Sequence, residues 1–216
     1  MNIELVNTGS ELMLGRVLNT HQQWLCRRLA DLGHVVTRQV AIADTGGEIQ
    51  NAVREALSRA DLVITTGGLG PTSDDLTREL IAELLGKKLV VNPAVDAHIE
   101  NFFAKRNRPR PAKTSVETFV PEGAEVFINQ NGTAPGLAIQ IEPKAQSPKP
   151  KVQWLVMLPG PPRELRPMFD AQIVPLLQRE FAASVFICRT LRSSGDRKST
   201  RLNSSHLRLS RMPSSA

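Results

Sequence analysis

The residues best suited to chemistry lie in one stretch, Leu62 to Thr77, with the sequence LVITTGGLGPTSDDLT. Its apolar start is typical of a buried parallel strand, and helical spacing of apolar residues begins at its end. The three glycines between them allow positive φ angles and let a ligand approach the backbone closely. A strand, a glycine loop and a helix N-terminus in this order direct N–H groups and the helix dipole towards an anion. The stretch therefore predicts a phosphate or nucleotide site.

Two adjacent carboxylates, Asp74 and Asp75, end this loop. One of them, or Ser73, is expected to cap the helix that follows. A pair of carboxylates beside a phosphate cradle also suits a divalent cation that bridges to phosphate oxygens. By spacing alone, the metal site and the simple cap both stay open.

Further carboxylates are predicted at other strand ends. Asp44 stands between a predicted strand, His34 to Ala43, and the helix after Gly46-Gly47. Since ligands of open α/β sheets lie beyond the carboxyl ends of strands, Asp44 and Asp75 are candidates to face one crevice. A cap of its own helix is the other interpretation of Asp44, and the sequence favours neither. Glu11, in a predicted loop, is the next candidate carboxylate.

A second loop dense in glycine and proline, Asn131 to Gly136, is predicted to line the other side of the crevice. Gly68, in the middle of the first loop, is expected to lie against a diphosphate. A methyl group there would then lower ligand affinity more than stability. His21 is predicted to lie on the surface without a catalytic role, and Pro159 to Pro162 is interpreted as structural. The predicted substrate-binding residues are Thr66, Gly67, Gly68, Gly70, Thr72, Ser73, Asn131, Gly132, Thr133, Gly136 and Glu11.

The order of predicted elements sets the architecture. Strands and helices alternate along the chain, which predicts a three-layer α/β/α fold with a mostly parallel sheet over residues 1–180. Pro143 to Lys151 is predicted to be an exposed hairpin tip, and Ser184 to Leu191 a last strand. No Ser-His-Asp arrangement, CxxC motif or Walker A lysine is evident, which argues against serine hydrolases, dithiol redox proteins and P-loop kinases.

Composition excludes several classes of partner. No apolar run approaches the ~18 residues of a membrane helix, so no membrane contact is expected. Cys26 and Cys188 lie far apart in sequence, and a reduced, cytoplasmic protein is expected. The net charge is +6, but residues 196–216 hold +4 of it, which leaves only +2 for residues 1–195. The nearly neutral body predicts no nucleic-acid binding.

The last residues differ from the rest of the chain. Residues 196–206, DRKSTRLNSSH, resemble the translation of a sequencing-library adapter. We interpret residues 196–216 as an artefactual, disordered tail that replaces a lost C-terminal part. The alternative is a disordered basic tail that binds anions.

Four segments in order carry a family resemblance. They are NTGSELMLG, TTGGLGPTSDDLT, VPEGAEVFINQNGTAPG and VMLPGPPRELRPMF. They resemble the N-terminal domain of the CinA (competence/damage-inducible) family, which is itself similar to the molybdopterin-binding domain. The likeness runs from Met1 to about Leu191, so residues 181–195 would begin the family's middle segment. Many members continue into a nicotinamide-nucleotide amidase domain, which is absent from this chain.

The resemblance implies an ADP-ribose pyrophosphatase that needs a divalent metal such as Mg²⁺, Mn²⁺ or Co²⁺. Asp75 and Asp44 match two essential aspartates of the similar molybdopterin adenylyltransferases. Leu69 and Asp74 depart from that pattern, since a Thr and an Arg stand there in those enzymes. Asp74 in place of an Arg removes a positive charge and adds a negative one. This change favours nucleotide phosphates that a metal bridges to the protein.

The expected mechanism follows from the resemblance. The first loop would hold the diphosphate, and Asp74 and Asp75, with Asp44 in support, would hold the metal. Attack by water would give AMP and ribose 5-phosphate. A pterin nucleotidyltransferase and a non-catalytic nucleotide- or pterin-binding module remain alternatives. A small-molecule nucleotide substrate and a homo-oligomer are expected.

Overall fold

A six-stranded mixed sheet organises the protein. The computed structural model describes residues 1–142 and 152–181. The predicted hairpin tip, the predicted last strand and the tail lie outside these described residues. The strands are β1 (Ile3–Thr8), β2 (Val36–Ile42), β3 (Leu62–Thr66), β4 (Leu89–Val91), β5 (Phe119–Pro121), β6 (Glu125–Phe127), β7 (Gly136–Ile141) and β8 (Gln153–Leu158).

The helices precede or follow the strands in the order that the sequence predicts. Among the described residues, none of them is both long enough and apolar enough to cross a membrane. They are α1 (Ser10–Met13), α2 (Thr20–Asp31), α3 (Gly46–Leu57), α4 (Thr77–Leu84), α5 (Pro93–Ala104), a 3₁₀ helix (Ala112–Thr118), α6 (Pro162–Met168), a π-helical turn (Phe169–Ile173) and α7 (Val174–Glu180).

The sheet has the order β2-β1-β3-β8-β7-β6, and β4 and β5 form a separate antiparallel pair. Strands β2, β1, β3 and β8 run parallel, while β7 and β6 are antiparallel to their neighbours. The prediction of a mostly parallel sheet is therefore confirmed. Because four parallel strands end at one edge, the loops that follow them come together there.

Helices cover both faces of the sheet, so the three-layer prediction is also confirmed. In β3, Leu62 and Ile64 pack into the cluster that holds Leu25 of α2. Val63, which points to the other face, packs into the cluster that holds Val53 of α3. All five residues of β3 are buried, as expected for a central strand that is covered on both sides.

Candidate active site

A cleft of about 690 Å³ opens at the carboxyl edge of the parallel strands. Residues from the ends of β1, β2, β3 and β8 line it, together with both predicted glycine loops. Of the predicted site residues, Thr72, Ser73 and Gly136 are not part of the lining. The predicted site residues that line the cleft are Glu11, Asp44, Thr66, Gly67, Gly68, Gly70, Asp74, Asp75, Asn131, Gly132 and Thr133.

Hydrogen bonds between side chains and backbone hold the strand ends together below the cleft. The Thr66 hydroxyl donates to Oδ1 of Asn7 at 3.0 Å, and the Thr8 hydroxyl donates to the Thr66 carbonyl at 3.2 Å. Nδ2 of Asn7 also donates to the Val40 carbonyl at 3.3 Å. These buried bonds join β1, β2 and β3 where the loops leave them, and so position the loops relative to each other.

The first glycine loop, residues 67–75, is held by its own packing. Gly67 and Gly68 have φ angles of 99° and 68°. A Cβ at Gly67 would lie 2.9 Å from the Thr8 carbonyl oxygen, and one at Gly68 would lie 2.8 Å from the Thr77 Cβ. This contradicts the expectation that a methyl group at Gly68 would cost little stability, because Thr77 already fills the space beside Gly68.

The backbone of this loop leaves three consecutive N–H groups available. The Gly67 N–H donates to the Leu158 carbonyl at 3.0 Å, and the Gly68 carbonyl accepts from the Thr77 N–H at 3.0 Å. Within residues 1–142 and 152–181, no acceptor is found for the N–H groups of residues 68, 69 and 70. Unpaired consecutive amides of this kind can bind an anion.

Asp75 closes the second half of the first glycine loop. Its Oδ2 accepts from the Thr72 N–H at 3.0 Å and from the Thr72 hydroxyl at 2.5 Å. Asp74 is exposed and accepts from the Ser73 hydroxyl at 3.3 Å. Helix α4 has no side-chain cap, so the prediction that one of Ser73, Asp74 and Asp75 caps it is wrong. The physical reason is that these side chains satisfy the turn that precedes the helix.

Asp44 forms hydrogen bonds with Ser10, the first residue of α1, which follows β1. Its Oδ2 accepts from the Ser10 N–H at 2.8 Å, and its own N–H donates to the Ser10 hydroxyl at 3.2 Å. Helix α3 has no side-chain cap, so Asp44 binds the first N–H of α1 and not the helix that follows it in sequence. Glu11 lies in α1, where the sequence predicted a loop, and lines the same cleft as Asp44.

The second glycine loop, residues 131–136, is also held from inside the protein. Asn129 Nδ2 donates to the Ala134 carbonyl at 2.9 Å and to Oε2 of Glu164 at 2.8 Å. A Cβ on Gly136 would clash with the sulfur of Met168. Gly136 is therefore required for packing at the start of β7, which explains why it lies outside the cleft lining.

The predicted residues leave out a buried carboxyl group, that of Glu117 in the 3₁₀ helix. Glu117 lines the cleft with 0% of its surface exposed, and its Oε1 accepts from the Thr133 hydroxyl at 3.1 Å. Burial raises its pKa to about 7, against the opposing effects of the Thr133 hydrogen bond and of Arg78. Asp75 and Glu164 raise this pKa further. No motif marks Glu117, so only its burial could have revealed it.

Arg78 supplies a buried positive charge behind the first glycine loop. It is 1% exposed, donates to the Leu69 carbonyl at 3.3 Å and pairs with Glu79. Because this contact engages the Leu69 carbonyl, the guanidinium helps to orient the peptide groups of the loop. Its position one residue inside α4 gave no signal of this role in the sequence.

His21 is half-buried in the cleft wall, so the prediction that it lies on the surface is wrong. Its Nε2 lies 2.5 Å from the Gly160 carbonyl oxygen, a contact that requires the proton on Nε2. Burial lowers its pKa, and Arg166 lowers it further, while the Gly160 carbonyl opposes both. His21 therefore fixes the loop after β8 at the cleft as a neutral side chain.

The carboxylates suit a metal that is bound jointly by protein and substrate. Within the described part of the chain, no three His, Cys, Asp or Glu side chains are placed to hold a metal ion by themselves. Asp74 and Asp75 are adjacent, and Oδ1 of Asp75 is free of the hydrogen bonds that occupy its Oδ2. Mg²⁺ is commonly bound by one or two carboxylates together with water and substrate phosphates, which this arrangement fits.

Comparison with known proteins shows which family the sequence matches. Residues 4–179 match the family described as "Probable molybdopterin binding domain". The chain is 44% identical over 197 residues to a competence-damage inducible protein of Symbiobacterium thermophilum, covering 90% of this chain and 44% of that protein. It is 40% identical over 195 residues to a CinA-like protein of Dictyoglomus thermophilum, covering 90% and 45%. The chain thus spans slightly less than half the length of these relatives.

Solved structures share the fold. The CinA protein of Thermoplasma acidophilum superposes with a TM-score of 0.70 at 29% identity, covering 81% of this chain and 97% of that one. The tungsten cofactor synthesizing protein MoaB of Pyrococcus furiosus superposes with a TM-score of 0.53 at 17% identity, covering 83% and 96%. The second likeness concerns the fold alone.

Proposed function

The chain belongs to the CinA-like members of the molybdopterin-binding-domain family, and from this premise we propose that its cleft hydrolyses a nucleoside diphosphate sugar. ADP-ribose would yield AMP and ribose 5-phosphate. The observation that carries the proposal is that three backbone N–H groups, which have no acceptor among the described residues, line one cleft with the carboxylates of Asp44 and Asp75.

The first glycine loop is the proposed diphosphate site. Its N–H groups at residues 68–70 offer hydrogen bonds to phosphoryl oxygens without a change of backbone conformation. The loop is already held by Thr8, Thr77 and Leu158, so little conformational entropy would be lost on binding. The cleft therefore presents a preorganised anion site.

The carboxylates are proposed to complete the site. Asp74 and Asp75 would hold a divalent cation, which supplies positive charge to the phosphoryl oxygens. Asp44, oriented by Ser10, would face the substrate from the end of β2. In the reaction, a water oxygen bonds to one phosphorus and the bond from that phosphorus to the bridging oxygen breaks. Two phosphate monoesters and protons are released.

A substrate panel tests the proposal. ADP-ribose, NAD and related diphosphates should be incubated with Mg²⁺, Mn²⁺ or Co²⁺ while AMP release is followed. Asp75→Asn should lower kcat/KM for ADP-ribose by at least about 100-fold, roughly 3 kcal/mol, because an amide keeps the shape but loses the charge. Asp31→Asn, at an exposed residue at the end of α2, is the matched control and should keep full activity. Full activity in Asp75→Asn would refute the assigned role.

A second candidate is favoured by the family's description. A molybdopterin-binding domain could bind a pterin, either as a nucleotidyltransferase or as a module without turnover. Incubation with ATP and molybdopterin would give an adenylated pterin in the first case. In the second case a pterin or nucleotide would raise the melting temperature, and no product would form with any divalent metal.

A further inference from the structure

Glu164, near the start of α6, is a nearly buried carboxylate in the cleft wall. It lines the cleft with 8% of its surface exposed. The chain that leads into α6 lies next to the first glycine loop, since a Cβ on Gly160 would be 3.7 Å from the Gly67 Cα. A Cβ on Gly132 of the second loop would meet the Glu164 carboxyl group itself. The start of α6 therefore places this carboxylate close to both loops.

The two oxygens of the Glu164 carboxylate have different surroundings. Oε2 accepts from Nδ2 of Asn129 at 2.8 Å. Asn129 is 1% exposed and is fixed by two further hydrogen bonds to the backbone around the second glycine loop. Among the described residues, Oε1 accepts no hydrogen bond, and Nε of the exposed Arg163 lies 3.7 Å from it. Asn129 thus holds one oxygen in place and leaves the other without a donor.

The free oxygen of Glu164 is suited to a ligand that brings its own donors. A carboxylate only accepts hydrogen bonds, and its two oxygens offer about four lone-pair sites. The single amide donor of Asn129 fills one of them, and a nearly buried charge with few donors is costly. Solvent reaches Oε1, so a hydroxyl group in the cleft can donate to it.

We propose that Glu164 binds ribose, with Oε1 accepting from the 2- and 3-hydroxyl groups of a ribose attached to the bound diphosphate. The inference rests on the proposed function for the position of the diphosphate at the first glycine loop. Each phosphoryl group of ADP-ribose carries a ribose, so ribose hydroxyls are the donors next to the diphosphate on either side. In dinucleotide-binding folds an acidic residue binds ribose in the same way. Glu164 therefore determines specificity for the sugar and takes no part in the bond cleavage.

Isothermal titration measures this role without turnover. The ligands are the methylene-bridged analogue of ADP-ribose and two dideoxy forms of it, each of which lacks the 2- and 3-hydroxyls of one ribose. All three are titrated with Mg²⁺ present. Wild-type protein should bind one of the dideoxy forms at least about tenfold more weakly than the parent, because Oε1 then lacks its donors. The weaker form identifies which ribose lies at Glu164.

Glu164→Gln separates this role from a general effect on the cleft. The Gln carbonyl can still accept from Asn129, which turns its NH₂ group, a donor, towards the ribose hydroxyls. The parent ligand should therefore bind at least about tenfold more weakly, whereas binding of the weaker dideoxy form should change less than about twofold. Glu122→Gln, which removes an exposed carboxylate, is the matched control and should bind all three ligands as the wild type does.

Three results would overturn the inference. One is an equal loss of affinity for all three ligands in Glu164→Gln, as expected of a metal ligand. Another is equal affinity of the wild type for the three ligands. The third is the absence of binding of the parent ligand to the wild type.

A second measurement does not depend on a variant. The NMR signals of the Asn129 side-chain amide report on Glu164, because this amide donates to the same carboxylate. At saturation they should move further with the parent ligand than with the weaker dideoxy form, and identical shifts would contradict the inference. The two proposals can also fail separately. Binding that depends on the hydroxyls but no AMP release would refute the hydrolase alone, and AMP release with binding that ignores the hydroxyls would refute the role of Glu164 alone.

Discussion

The two glycine loops that line the cleft differ in how they are packed. The first, residues 67–75, uses positive φ angles at Gly67 and Gly68 and packs against Thr8 and Thr77. The second, residues 131–136, packs against side-chain ends, since a Cβ on Gly132 would lie 2.5 Å from Cδ of Glu164. The first loop therefore depends on rigid neighbours, and the second depends on groups that can move.

The comparison shows which groups of such loops are left to contact a ligand. In both loops, the glycines are explained by contacts within the protein. The groups left for a ligand are the N–H groups at residues 68–70 in the first loop and the side chains beside the second. A glycine-rich sequence next to a cleft thus indicates close packing first and ligand contact second.

The largest expected effect is that of Gly68→Ala on stability. Its Cβ would meet Thr77 in a residue with φ 68°, so strain and overpacking together should cost about 2–5 kcal/mol. Gly86→Ala is the matched control, because Gly86 has φ 64° and the added Cβ would have no atom of the described residues within 4 Å. Urea unfolding of both variants isolates the packing contribution. Equal losses in both would mean that contact with Thr77 costs nothing.

A smaller effect is expected from Glu117→Gln on the pH dependence of stability. Below pH 4.5 both folded and unfolded protein carry the proton, and between 4.5 and about 7 only the folded protein does. The free energy of unfolding therefore falls as pH rises through this range, by roughly 3 kcal/mol. Glu117→Gln removes this fall. Unfolding of both proteins at about pH 4 and about pH 8 measures the difference, and parallel pH profiles would contradict the burial argument.

The smallest effect is expected from Gly132→Ala, in the second glycine loop. The added Cβ would meet Glu164 and lie 2.7 Å from Nδ2 of Asn129, so the bond between these side chains should break. Because the Glu164 side chain can rotate away, a loss of about 1–3 kcal/mol is expected, less than for Gly68→Ala. Differential scanning calorimetry of the two variants decides the order. A greater loss for Gly132→Ala would reverse the comparison.

Local patterns predicted most of the elements. The apolar run Leu62 to Ile64 was found in a buried strand, as the sequence predicted. Helix α2 begins at Thr20, directly after Asn19. Asn19 accepts from the Gln22 N–H, as an N-cap should. The short helix α1 was missed, because four residues carry too little periodicity to separate a helical turn from a loop. Element ends shifted by one or two residues for the same reason.

The site was harder to predict than the fold. Asp44 and Asp75 could be placed in one crevice because parallel strands end at the same edge of a sheet. The role of Gly136 could not be assigned, because the residue that requires a glycine there, Met168, lies far from it in sequence. Ser73 was expected in the site, but its hydroxyl donates to the neighbouring Asp74. Homo-oligomer formation remains a prediction.

Sequence patterns were sufficient to predict the α/β/α architecture and the positions of its glycine loops. Both depend on interactions between residues that are close in sequence, namely hydrophobic period and turn chemistry. The burial of particular polar groups, in contrast, depends on the tertiary structure. Glu117 received its raised pKa, and Asp44 its bond to Ser10, when distant segments packed together. Desolvation depends on every neighbour of a group in space, so no local pattern of residues contains it.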